Sequence, residues 1–157
     1  MTNLTPAPIL VAEDDAQHAL LIRAALKAAK LANPILVFED GEQALGYLGA
    51  SAVHAPPGAE GACPPVLALL DVHLPGTSGL EVLTWMREQA WLCHVPAVVL
   101  TASEEAADID HAFAAGASSY LIKPVGFQAL LDVVRNLDLH LVLTDGVEQD
   151  KGLKDTP

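Results

Sequence analysis

Five short runs of unbroken apolar residues, spread along 157 positions, constrain this chain more than any other feature. They are Ile9–Ala12 (ILVA), Ile35–Phe38 (ILVF), Val66–Leu70 (VLALL), Ala97–Leu100 (AVVL) and Tyr120–Ile122 (YLI). A strand wetted on one face alternates apolar with polar residues. A run that does not alternate is buried on both faces, as in a parallel sheet covered by helices. Helix-like stretches separate the runs: Ala16–Lys30, Glu42–Leu48, Leu80–Gln89, Glu104–Ala115 and Phe127–Leu137. The alternation predicts one doubly wound α/β domain, its five-stranded parallel sheet covered on both faces through right-handed crossovers. Leu21, Ala24, Ala25 and Ala28 fall on one expected face of the first helix. Asp15 is placed to cap that helix and Ser103 to cap the fourth. The Pro/Gly/Ala-rich connection 50–65 is long for a compact domain and reads as a mobile or a docking loop.

Charge removes several function classes. The net charge is −12 and only eight Lys and Arg are available to meet phosphates, so a nucleic-acid face is not expected. Residues 1–8 carry no basic segment followed by an apolar one, and no apolar run is long enough to span a bilayer. A cytoplasmic protein with no membrane partner is the expectation. Cys63 and Cys93 lack CxxC spacing and read as reduced thiols. His18, His54, His73, His94, His111 and His140 show no metal-ligand spacing, so solvated or hydrogen-bonded side chains are expected.

In open α/β sheets, sites form beyond the carboxyl ends of the strands, where strand order reverses. The first run ends in Glu13, Asp14 and Asp15, the third in Asp71, the fourth in Thr101 and the fifth in Lys123-Pro124. With strand order 2-1-3-4-5, Asp71 meets the acidic cluster. Two like charges about 4 Å apart repel by roughly 4 kcal/mol at an effective dielectric near 20, so such a cluster needs a cation. All-oxygen donors favour a hard ion, Mg²⁺ or in its place Mn²⁺. Thr101 and Lys123 add a hydroxyl and an ammonium, a clamp for anionic oxygens. That set suits phosphoryl transfer, with Asp71 as a nucleophile able to carry an acyl phosphate.

Together, EDD at 13–15, Asp71 followed by Leu74-Pro75-Gly76, Thr101-Ala102 and Lys123-Pro124 resemble the receiver domain of two-component response regulators. The resemblance covers residues 8–137. It implies Asp71 as phosphoacceptor, Asp14 as direct metal ligand and Glu13 as a ligand through water. It also implies that His73 offers its backbone carbonyl to the ion. Thr101, Ala102 and Lys123 would meet the phosphoryl oxygens, Tyr120 would be the aromatic switch, and Ser103 and His73 would stand at the rim where water is controlled. A cis Lys123–Pro124 bond is implied as well. The long 50–65 connection, the lack of a fused DNA-binding domain and an apolar C-terminal stretch resemble the single-domain receivers that accompany phytochrome histidine kinases. Residues 138–157 then form an extension, an apolar arm 138–143 followed by a polar tail 144–157. The stretch Leu137–Leu143 either packs on its own domain or, as the favoured reading, joins two protomers as a homodimer.

Two rival activities fit less well. A phosphatase built on a strand-end aspartate places a second Asp two residues on as general acid, where this chain has His73. A nucleotide-binding module needs a Gly-rich turn after the first strand, where this chain has EDDAQHA. A receiver fold kept only as a dimerising adaptor is a third possibility. The expected protein is thus a phosphoacceptor signalling protein and not an enzyme with turnover of its own.

Overall fold

A computed structural model of the chain describes residues 7–29, 31–51 and 63–137. Ten elements alternate: β1 (Ile9–Ala12), α1 (Ala16–Ala28), β2 (Ile35–Phe38), α2 (Gly41–Ala50), β3 (Leu67–Asp71), α3 (Gly79–Arg87), β4 (Ala97–Thr101), α4 (Ala106–Ala114), β5 (Ser119–Ile122) and α5 (Phe127–Asn136). The strands form one parallel sheet in the order β2-β1-β3-β4-β5. The chain path reverses direction between β1 and β3, which places the crevice there.

The unbroken apolar strands feed two cores. Leu10, Ala12, Ala68, Leu70, Ala97 and Val99 face α2 and α3, meeting Leu48, Val82, Leu83 and Met86. Ile9, Val11, Leu67, Leu69, Val98 and Leu100 point the other way, onto Ile22 and Leu26 of α1 and Leu130 and Val134 of α5. Each large aliphatic side chain so buried stabilises the fold by about 1.5–3 kcal/mol.

Register then aligns the strand ends. Ala12 pairs with Leu70, so Glu13 and Asp71 emerge level; Thr101 pairs with Ile122, so Lys123 follows directly. A glycine secures this edge. Gly79, the first residue of α3, lies so close beneath β3 that a Cβ there would overlap the Asp71 carbonyl oxygen.

Two local expectations are corrected. The buried stripe of α1 is His18, Ala19, Ile22, Ala25 and Leu26, while Leu21 is 57% exposed. The stripe contains a histidine, so apolar residues alone point to the wrong face. α4 begins at Ala106 behind Glu105, and Ser103 does not cap it. The Ser103 hydroxyl instead donates to the Asp108 carboxylate and accepts the Glu105 N–H. Asp15 does cap α1, accepting the Gln17 and His18 N–H groups at 2.9 and 3.2 Å. Most of the 50–65 connection, the arm 138–143 and the tail 144–157 lie outside the described residues.

Candidate functional site

Four strand ends supply the site. Glu13 and Asp14 leave β1, Asp71 closes β3, Thr101 closes β4, and Lys123 follows β5 at a cis Lys123–Pro124 bond. Oxygens of Glu13, Asp14 and Asp71 lie within 4.8 Å of one another. Glu13 and Asp71 are each 1% exposed, whereas Asp14 faces solvent. Three oxygen donors this close, with no thiolate or imidazole among them, match a hard divalent cation that keeps several waters on its open side.

Lys123 holds the two buried carboxylates together. Its ammonium donates to Asp71 Oδ2 at 2.9 Å and to Glu13 Oε2 at 3.1 Å. Asp71 Oδ1 accepts the His73 N–H at 3.0 Å, which fixes the carboxylate plane. Burial pushes the Glu13 carboxyl above its ordinary 4.5, and the Asp71 charge adds to that, against the hydrogen bonds from Asp15 and Lys123. Burial alone would lower the Lys123 ammonium, but its hydrogen bonds to Asp71 and Glu13 outweigh this and leave it above the ordinary 10.5. One lysine cannot balance three carboxylates, so the site keeps a net negative field that draws cations.

A second group surrounds a cavity of about 100 Å³ beside Asp71. Thr101, His73, Ser103 and Tyr120 line it. Thr101 is 6% exposed, and its hydroxyl oxygen accepts the Ser103 N–H at 3.0 Å. Half-buried Tyr120 packs edge-on against Phe113 of α4, ring centres 5.7 Å apart. Ala102 is exposed at the start of the turn after β4. The structure thus brings Glu13, Asp14, Asp71 and Lys123 into one cluster and sets Thr101, Ser103, His73 and Tyr120 around the adjoining cavity.

One participant escaped the sequence reading. His18 is 7% exposed and bonds Glu13 Oε1 through Nδ1 at 3.0 Å. The signal was available in its spacing, because His18, Ile22 and Ala25 fall on one helical face. Among the described residues no histidine belongs to a group of side chains placed to hold a metal ion.

A family model for the response regulator receiver domain matches residues 9–135. The probable methanogenesis regulatory protein FilR2 of Methanothrix harundinacea is 36% identical over 132 residues, 84% of this chain and 81% of that protein. Response regulator Rcp1 of Synechocystis is 28% identical over 133 residues, 85% and 87% of the two chains. Among solved structures, the bacteriophytochrome response regulator RtBRR superposes with a TM-score of 0.75 at 34% identity, covering 88% of this chain and 82% of its own. The Mn²⁺-bound form of Rcp1 gives 0.66 at 26% identity, with 97% and 99% covered. The phosphorylated cyanobacterial phytochrome response regulator RcpA gives 0.66 at 27%, with 96% of each chain covered. Receiver domains are phosphoacceptor signalling domains that bind a divalent metal, which is what the oxygen cluster beside Asp71 is suited to. The sheet order, the acidic cluster and these matches agree: the chain belongs to the response regulator receiver domain family.

Proposed function

We propose that this protein is a single-domain response regulator that accepts a phosphoryl group on Asp71 from a histidine kinase. The observation carrying the proposal is the Lys123 ammonium, 2.9 Å from Asp71 Oδ2 inside a three-carboxylate cluster. A carboxylate held by an ammonium and set among further carboxylates able to hold a cation is a nucleophile with charge partners for its product's oxygens already in place.

In the reaction an Asp71 oxygen bonds to phosphorus as the phosphohistidine P–N bond breaks. The imidazole leaves with the electron pair and takes a proton from water. Asp14 and Asp71, the His73 carbonyl and, through water, Glu13 would hold Mg²⁺, with Mn²⁺ as an alternative. The ion would neutralise charge on the transferring group. Lys123, the Thr101 hydroxyl and the Ala102 backbone would bind the new oxygens. The Thr101 oxygen already accepts the Ser103 N–H and its hydroxyl proton is left to donate to them, while Tyr120 would exchange its packing on Phe113 for the cavity. The phosphoryl group favours that arrangement only through its differential contacts. Partners would read the face formed by α4, β5 and α5.

The names borne by RtBRR and RcpA support a phytochrome-type kinase as the donor. The receiver domain 8–137 would be followed by the extension 138–157, whose apolar arm 138–143 would join two protomers. The exchange of phosphoryl groups between proteins would take place in the cytoplasm; among the described residues no helix is long and apolar enough to cross a membrane. Incubation with phosphoramidate and Mg²⁺, followed by intact-mass measurement, tests the proposal. The wild type gains one phosphoryl group and Asp71→Asn gains none; equal labelling of both overturns it.

A further inference from the structure

His18 touches two parts of the site at once. Its Nδ1 lies 3.0 Å from Glu13 Oε1, and its Nε2 lies 3.2 Å from the Val125 nitrogen, two residues beyond Lys123. The backbone N–H of Val125 can only donate, so Nε2 must be an acceptor and the ring proton sits on Nδ1. From there it donates to the Glu13 carboxylate. The other Glu13 oxygen takes the Asp15 N–H and the Lys123 ammonium, both at 3.1 Å, so Glu13 is held from three directions. The Asp15 side chain in turn fixes the His18 backbone at the start of α1.

We infer that His18 is a positioning residue that locks Glu13 and the turn after Lys123 into one frame, and so sets the cation affinity of the site without being a ligand. Partners of ligating carboxylates, though they do not touch the metal, typically change affinity by 10–100-fold when removed. This rests on the reading of Glu13, Asp14 and Asp71 as the cation site.

The two nitrogens can be replaced one at a time. An Asn amide places its N–H where Nδ1 stands, so His18→Asn keeps the Glu13 bond and loses Val125. A Gln amide places its oxygen where Nε2 stands, so His18→Gln keeps Val125 and loses Glu13. His18→Leu loses both and preserves apolar packing. Calorimetric Mg²⁺ titration of the metal-free proteins is expected to give a dissociation constant about tenfold weaker for His18→Gln and His18→Leu, with His18→Asn near wild type. Val125 amide hydrogen exchange should show the opposite division, faster in His18→Asn and His18→Leu and protected in His18→Gln. Nitrogen-15 NMR of the wild type should find the ring proton on Nδ1. A merely structural histidine would lower unfolding stability in all three variants without dividing them. Equal Mg²⁺ affinity across wild type and variants, or a proton on Nε2, overturns the inference. A wild type that binds no Mg²⁺ overturns instead the cation-site reading beneath it.

Discussion

Replacing Asp14 by Asn should stabilise the metal-free protein while removing its response to Mg²⁺. Asp14 contributes charge to the cluster yet takes no hydrogen bond among the described residues, so the amide leaves no partner orphaned. Two unit charges 4.8 Å apart repel by about 3.5 kcal/mol at a dielectric near 20 and about 0.9 kcal/mol in water. Asp14 faces solvent, and Lys123 already offsets the Asp71 charge. The lower limit therefore applies, and the gain should be about 1 kcal/mol, or roughly 3 °C in Tm for a domain of this size. Mg²⁺ at a hundredfold excess over its Kd should stabilise the wild type by about 2.7 kcal/mol. The variant, having lost a ligand, should gain under about 1 kcal/mol. Urea unfolding in EDTA and again in Mg²⁺ should therefore show the two proteins change rank. If Asp14→Asn is the less stable protein in EDTA, or gains as much from Mg²⁺ as the wild type, the electrostatic reasoning fails.

Other expectations concern the frame around the site. Arg87 donates to the carbonyls of Leu92, Cys93, Val95 and Gly116, tying α3 to the segments entering β4 and β5. Arg87→Met should cost about 2–3 kcal/mol in urea unfolding, because an uncharged side chain leaves several partly buried acceptors unpaired. Gly79→Ala must push α3 off the Asp71 carbonyl and should cost about 1–3 kcal/mol, with NMR shifts of Asp71 and Val72 reporting the displacement. The Lys123 ammonium is raised above 10.5 when folded, so its contribution is complete below that pH and disappears as pH climbs through the folded value. Glu13 has the same sign at a lower pH. Its folded carboxyl ionises later than the unfolded 4.5, so metal-free stability should fall as pH rises from 4.5 through the folded value. Unfolding in EDTA across a pH series checks both, and Lys123→Met should erase the alkaline loss.

The fold was readable because its strands are buried on both sides and so carry an unbroken apolar signature, bounded by turn residues and regularly spaced between helix-like stretches. The site was readable for a related reason. Glu13, Asp71, Thr101 and Lys123 each follow such a run at once, and in-register parallel pairing must bring those positions to one edge. What the sequence hid depends on side chains choosing among partners. Ser103 stands where a cap should, but Asp108 claims its hydroxyl and the helix starts later. His18 breaks the apolar stripe of α1, so hydrophobic periodicity alone selects Leu21 and Ala24 in its place. Only tertiary structure reveals that a buried histidine is satisfied at both nitrogens by groups from the turn after β1 and from the turn before α5.

The account depends on Asp71 as the atom donor to phosphorus beside a carboxylate-held cation. A crystal structure of the protein with Mg²⁺ and beryllofluoride tests that most directly. It should show beryllium bonded to an Asp71 oxygen, the ion on Asp14 and Asp71, and Lys123 and the Thr101 hydroxyl on the fluorides. Beryllofluoride bound elsewhere, or an ion remote from Asp14 and Asp71, would contradict the assignment and leave only the fold standing.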